Sequence, residues 1–163
     1  MQIKQIIIHH TVSDRDSTTL EEINRWHRAR WPGFKSSVGY YVGYHYVILA
    51  DGSRIQTRRD DEMGAHAIPN DGRIGICLAG NFEVETPTCR QLDALTSILI
   101  QLKIKYPQIT DYTIFGHQEV GKTLCPGKNL QKWIKEYRQI SLLQKLINEL
   151  KSKIEAFLKG RGR

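Results

Sequence analysis

The sequence predicts an α/β domain, a mixed central β-sheet flanked by helices, with an extra helix at the C-terminal end. Three observations carry this. Short apolar runs rich in β-branched residues read as strands at Ile3 to His9, Tyr44 to Leu49, Ile74 to Ala79 and Thr113 to Phe115; the first is apolar almost without a break, as in a strand covered on both faces. Segments with apolar residues at helical spacing lie between them, and such alternation gives the α/β class. From Asn129 to Lys159 the pattern stays helical with no Pro or Gly. The 163 residues, 40% hydrophobic and 25% charged, have room for one domain with one core plus an appended helix. No apolar run approaches the ~20 residues of a membrane span.

Along the chain, His9 and His10 close the first strand. Successive side chains of a strand point to opposite faces, so the two do not easily reach one site together. After the polar turn Ser13 to Ser17, Thr18 or Thr19 caps a helix, and Glu21 or Glu22 completes a capping box. Leu20, Ile23, Trp26 and His27 share its stripe, and Trp31-Pro32-Gly33 ends it. The loop from Phe34 to Gly43 offers a wall for a substrate. Tyr44 to Leu49 is turned by Asp51-Gly52 into Arg54 to Thr57 as a hairpin, and strict alternation puts Tyr44 and Tyr46 on one face with His45 on the other. Pro87 suits the first turn of a helix whose stripe of Leu92, Leu95, Ile98, Leu99 and Leu102 runs up to Pro107. Thr113-Ile114-Phe115 delivers Gly116-His117 beside His9 if the two strands are neighbours.

His117 and Cys125 stand eight residues apart on a loop stiffened by Pro126 and released by Gly121 and Gly127. Imidazole and thiolate are donors that zinc accepts, and with His9 they make three. Three protein ligands leave the fourth tetrahedral position to water, the arrangement of catalytic rather than structural zinc. By themselves the same residues also read as a buried histidine bonded to backbone and a small apolar cysteine filling a gap, as Cys77 does within its strand.

Five blocks decide between these readings. Ile6-Ile7-Ile8-His9-His10-Thr11, Gly43-Tyr44-His45-Tyr46-Val47-Ile48, Gly64-Ala65-His66-Ala67, Ile74-Gly75-Ile76 with Gly80-Asn81-Phe82, and Gly116-His117 with Thr123-Leu124-Cys125-Pro126-Gly127 occur in one order. That ordered set resembles the type 2 N-acetylmuramoyl-L-alanine amidases, a family of phage endolysins and peptidoglycan recognition proteins, from about Ile3 to about Tyr137. The resemblance implies that family's fold, Zn2+ held by His9, His117 and Cys125, and hydrolysis of the amide between N-acetylmuramic acid and L-alanine in peptidoglycan. It gives Tyr44 and Thr123 catalytic roles and places His66 and Asn81 against the substrate, leaving His10 a structural part. Some phage relatives carry lysine where this chain has Thr123; Lys122 is adjacent, but a neighbouring residue usually faces elsewhere. A peptidoglycan-binding or regulatory module that has kept the metal is the alternative.

The net charge of +7 is concentrated at the end: Lys145, Lys151, Lys153, Lys159, Arg161 and Arg163 stand against Glu149 and Glu155, which gives +4. No nucleic-acid motif accompanies it, so no nucleic-acid partner is expected. Residues 1–138 are read as the amidase domain and 139–163 as a basic amphipathic helix. Its seam of Ile140, Leu143, Ile147, Leu150, Ile154 and Phe157 suits contact with an anionic membrane, packing on its own domain, or a two-stranded homodimer. No secretory signal is visible at the N-terminus, and three cysteines make no disulfide framework. The expectation is a protein made in the cytoplasm that reaches the wall on release during phage lysis, or that recycles muropeptides in place.

Overall fold

A computed structural model describes residues 2–160, with side chains except those at 141, 145 and 156–160. Its strands are β1 (Gln5–His10), β2 (Tyr46–Ile48), β3 (Arg54–Gln56), β4 (Arg73–Leu78) and β5 (Ile114–Gly116), and its helices α1 (Leu20–Arg30), α2 (Cys89–Lys105) and α3 (Lys128–Gly160). They form one sheet in the order β3-β2-β4-β1-β5. β1 runs parallel to both neighbours, β4 and β5, and β2 runs parallel to β4. Only β3 is antiparallel, because Asp51-Gly52 turns the chain back; Gly52 sits at φ +86°, where a side chain would be strained. The sheet is therefore mixed and covered on both faces, as the sequence predicts.

The period-2 alternation sorts the core. Ile6 and Ile8 of β1 join Ile74, Ile76 and Leu78 of β4 under Leu95, Ile98, Leu99 and Leu102 of α2 and Leu130 and Ile134 of α3. Each such fully buried aliphatic side chain contributes about 1.5–3 kcal/mol. The opposite face carries a smaller cluster of Ile23 from α1, Val42 and Val47. In the register of β1 on β4, Ile7 lies beside Gly75 and His9 beside Cys77, which puts His9 on the α1 side.

Capping follows the sequence signals. Thr19 caps α1 with Glu22 as its reciprocal partner, and Thr88 caps α2 with Gln91. Pro87 thus lies one residue outside the cap, not in the first turn, because the Thr88 hydroxyl supplies the acceptor for the Gln91 N–H. The expected sharing of a face by Tyr44 and Tyr46 also fails. Tyr46 packs with the α2 and α3 core, whereas Tyr44 packs with the α1 cluster. β2 begins only at Tyr46, and Gly43 to His45 form a bend ahead of it, so strand alternation does not reach back to Tyr44.

α3 passes position 138 without a break, so what changes there is packing. Leu130 and Ile134 are fully buried, and Trp133 stacks on Tyr137 at 5.3 Å. Beyond them Ile140 is 68% exposed, Leu143 58% and Leu150 60%, so this part of the helix does not pack on its own domain. The side chains of Lys145, Phe157 and Lys159, and the whole of Arg161 and Arg163, lie outside what is described. Ile134→Ala is expected to lower stability in urea by about 2–5 kcal/mol, and Leu150→Ala by less than about 0.5 kcal/mol. Equal losses would mean that the far half of α3 is covered in solution.

Candidate metal centre

Strand pairing brings the first two donors together. Ile8 pairs with Gly116, so His9 and His117 are the next residues on adjacent parallel strands. There β5 gives way to a tight helical turn, His117–Glu119, and the chain loops back to Cys125. The Gln118 N–H donates to the Cys125 carbonyl at 2.6 Å, and the Cys125 N–H to Thr123 Oγ1 at 3.1 Å. At the loop's end Gly127 has φ +85°, and a Cβ there would strike the Phe82 backbone. Glu119 ties the turn to α3: its carboxylate accepts from the Gly116 N–H, Gln131 Nε2 and the Arg138 guanidinium, each at 2.8 Å. Burial works against this anion, but those three donors hold its pKa below the usual value.

One donor atom each from His9, His117 and Cys125 lies within 4.8 Å of the others. His9 Nδ1 is 3.6 Å from Cys125 Sγ. Two donors held at the usual ~2.05 Å and ~2.3 Å from one tetrahedral zinc stand about 3.6 Å apart, so this edge has the right length. Protonation fits too. Burial, then the neighbouring His66 and His117, hold His9 well below the ordinary histidine pKa, and burial followed by Arg73 lowers His117. Both rings are neutral ligands at pH 7. Burial pushes the Cys125 thiol up to about 12 against the opposing His10 backbone N–H, so this donor must give up a proton to a metal. His10 points to the other face, where its Nδ1 accepts from the Phe82 N–H at 3.1 Å.

The three donors open onto a cleft of about 1000 Å³. Tyr44 lines it with its ring 5.1 Å from His9 and its hydroxyl against the Cys77 thiol. Burial, then the nearby Cys77 and Cys125, raise its pKa well above 10, so the phenol keeps its proton. Thr123 lines the cleft as well; its oxygen accepts from Cys125, which leaves its own O–H to donate. His66 is in the wall, with Nδ1 3.1 Å from His9 Nε2. Asn81 is not among the lining residues: its Oδ1 accepts from the Glu83 N–H and its N–H donates to Glu85, inside its own turn.

Sequence reasoning missed part of the rim. Trp26, His27, Arg30 and Trp31 of the α1 segment line the cleft, and their pairs four residues apart were the available signal for a second chemical face. Here His27 is a satisfied residue that also faces the cleft, accepting from the Gly43 N–H at 2.8 Å. Lys122 lines the cleft beside Thr123 instead of facing elsewhere, because the Thr123 N–H bonds back to the Gly121 carbonyl and tightens the loop.

A family model described as N-acetylmuramoyl-L-alanine amidase (Amidase_2) matches residues 1–128. The chain is 32% identical over 139 residues to peptidoglycan-recognition protein SC2 of Drosophila melanogaster, spanning 80% of this chain and 72% of that one. It is 29% identical over 141 residues to the endolysin of Klebsiella phage KP32, spanning 81% and 85%. Among solved structures, N-acetylmuramoyl-L-alanine amidase LysC from Clostridium intestinale URNW superposes with a TM-score of 0.70 at 31% identity, over 83% of this chain and 85% of that one. The ectodomain complex of peptidoglycan recognition proteins LCa and LCx with tracheal cytotoxin gives 0.69 at 28%, over 83% and 82%. With the family model spanning the sheet and every strand end that supplies the cleft, the chain belongs to the N-acetylmuramoyl-L-alanine amidase family.

Proposed function

We propose that this protein is a zinc-dependent N-acetylmuramoyl-L-alanine amidase that cuts the amide between the lactyl group of N-acetylmuramic acid and L-alanine, and that it serves as a phage or prophage endolysin. The convergence of His9, His117 and Cys125 at the floor of an open cleft carries this reading. When bound, zinc supplies a Lewis acid for the scissile carbonyl and makes water a nucleophile near neutral pH. The chain's own residues do the rest. Tyr44, which keeps its proton, donates to the oxygen on which negative charge grows, and the free O–H of Thr123 donates from the opposite loop. Arg30 and Lys122 at the rim attract the carboxylates of a peptide stem, and Trp26 and Trp31 offer flat surfaces to the sugar. The likeness to phage endolysins and to the amidase LysC supports hydrolysis, and the complex with tracheal cytotoxin supports a muropeptide in the equivalent groove. In this reading the enzyme meets the wall after release from the cell.

Zinc-loaded protein incubated with purified peptidoglycan is expected to free stem peptides that begin with L-alanine, detected by mass spectrometry. His117→Ala and Cys125→Ala abolish that release, and Tyr44→Phe slows it on the order of 100-fold. Stoichiometric zinc with no release from the wild type would leave the binding-module reading in its place. Zinc uptake is also expected to release close to one proton per ion at pH 7, from Cys125, because both imidazoles titrate below the ordinary histidine range. Calorimetry in buffers of different ionisation enthalpy measures this number, and a value near three would show that both histidines are protonated in the metal-free protein. The sign is that affinity rises as pH rises, about tenfold per unit for one proton.

A further inference from the structure

We propose that His66 is a positioning residue of the metal centre: it holds the His9 imidazole in the tautomer that leaves Nδ1 free for the metal. This rests on the zinc reading above and concerns how the site is preorganised. His9 uses its two nitrogens on two sides, Nδ1 3.6 Å from Cys125 Sγ and Nε2 3.1 Å from His66 Nδ1. Two neutral imidazoles joined in this way share one proton, so one ring donates and the other accepts. If His9 donates from Nε2, the Nδ1 lone pair faces the cysteine and a metal. If His66 donates instead, the proton of His9 lies on Nδ1 and blocks that position.

The surroundings of His66 favour the first arrangement. Its Nε2 is buried without a well-formed hydrogen bond, and the acceptor acting on the ring is the Arg73 carbonyl. Because Nδ1 is engaged with His9, the nitrogen left to donate toward that carbonyl is Nε2, which leaves Nδ1 as the acceptor for His9. His45, whose ring meets His66 edge-on at 5.6 Å, is fully committed elsewhere: its Nδ1 accepts from the Gly75 N–H and its Nε2 bonds the Glu62 carbonyl. The ring is also housed. A Cβ at Gly64 or Gly75 would come within 2.5 or 2.6 Å of it, and Asn70 Oδ1 holds its segment by accepting from the His66 and Ala67 N–H groups. An outer partner that fixes the tautomer of a ligating histidine typically changes metal affinity 10–100-fold.

The test compares the full-length wild type with His66→Asn, His66→Gln and His66→Ala. Asparagine places an acceptor oxygen where Nδ1 was, glutamine places its polar atoms where Nε2 was, and alanine removes both. Zinc dissociation constants from chelator competition are expected to stay near wild type for His66→Asn and to weaken about 10–100-fold for His66→Gln and His66→Ala. In the metal-free wild type, 15N histidine shifts are expected to show His9 protonated at Nε2, a bias lost in His66→Gln. Thermal melts of the metal-free proteins report folding; if His66→Ala does not fold, the Asn and Gln pair and the wild-type tautomer decide. Equal zinc affinity in all folded variants, equal losses in Asn and Gln, or a His9 proton on Nδ1 overturns the assignment alone. A wild type that binds no zinc overturns the metal reading and takes the assignment with it.

Discussion

β1 is hydrogen-bonded along both edges, to β4 and to β5, and its side chains alternate between two different environments. Ile6, Ile8 and His10 face the layer of α2 and α3, whereas His9 faces the cleft. A slip of one residue would turn three isoleucines and two histidines to the wrong side, exchanging a ligand for a buried imidazole that bonds the Phe82 backbone. The position of His9 is therefore held by the same hydrophobic register that holds the sheet together. His117 inherits this, since it follows the residue paired with Ile8.

Cys125 depends on a different device. Cys125 comes back to the strand ends on a loop with no sheet hydrogen bonds, so its place is fixed by local contacts: Gln118 to the Cys125 carbonyl, Thr123 to its N–H, and Gly127 pressed against Phe82. Glu119 anchors the whole turn to Gln131 and Arg138, which belong to the first half of α3. That part of the helix is thus integral to the site's support, although none of its residues faces the metal donors.

How much of this was legible varies with the kind of signal. The strands and the cap of α1 follow from apolar periodicity and capping chemistry, which act over a few residues, whereas the pairing of β1 with β5 entered only as a condition. The three donors became legible only through their order among the surrounding blocks, because His9 and Cys125 are over a hundred residues apart and nothing local joins them. What stayed hidden was orientation. Alternation misplaced Tyr44 because the bend from Gly43 to His45 ahead of β2 is invisible in composition, and Lys122 turned toward the cleft through a hydrogen bond inside its loop. Gly75 looked like an ordinary residue of a buried strand, yet its missing side chain is the space that His66 occupies.

The uninterrupted run of α3 also sets how the molecule moves. At 1.5 Å per residue its 33 residues span about 50 Å, and the second half stands clear of the packed core. A chain of this length folded into a sphere has a radius of gyration of about 15 Å. A sphere with a rod attached exceeds that value and drags more water as it diffuses, so a monomer elutes from a sizing column ahead of globular standards of its own mass. Early elution is then a property of one chain's shape, and only a measurement of mass independent of shape counts its subunits.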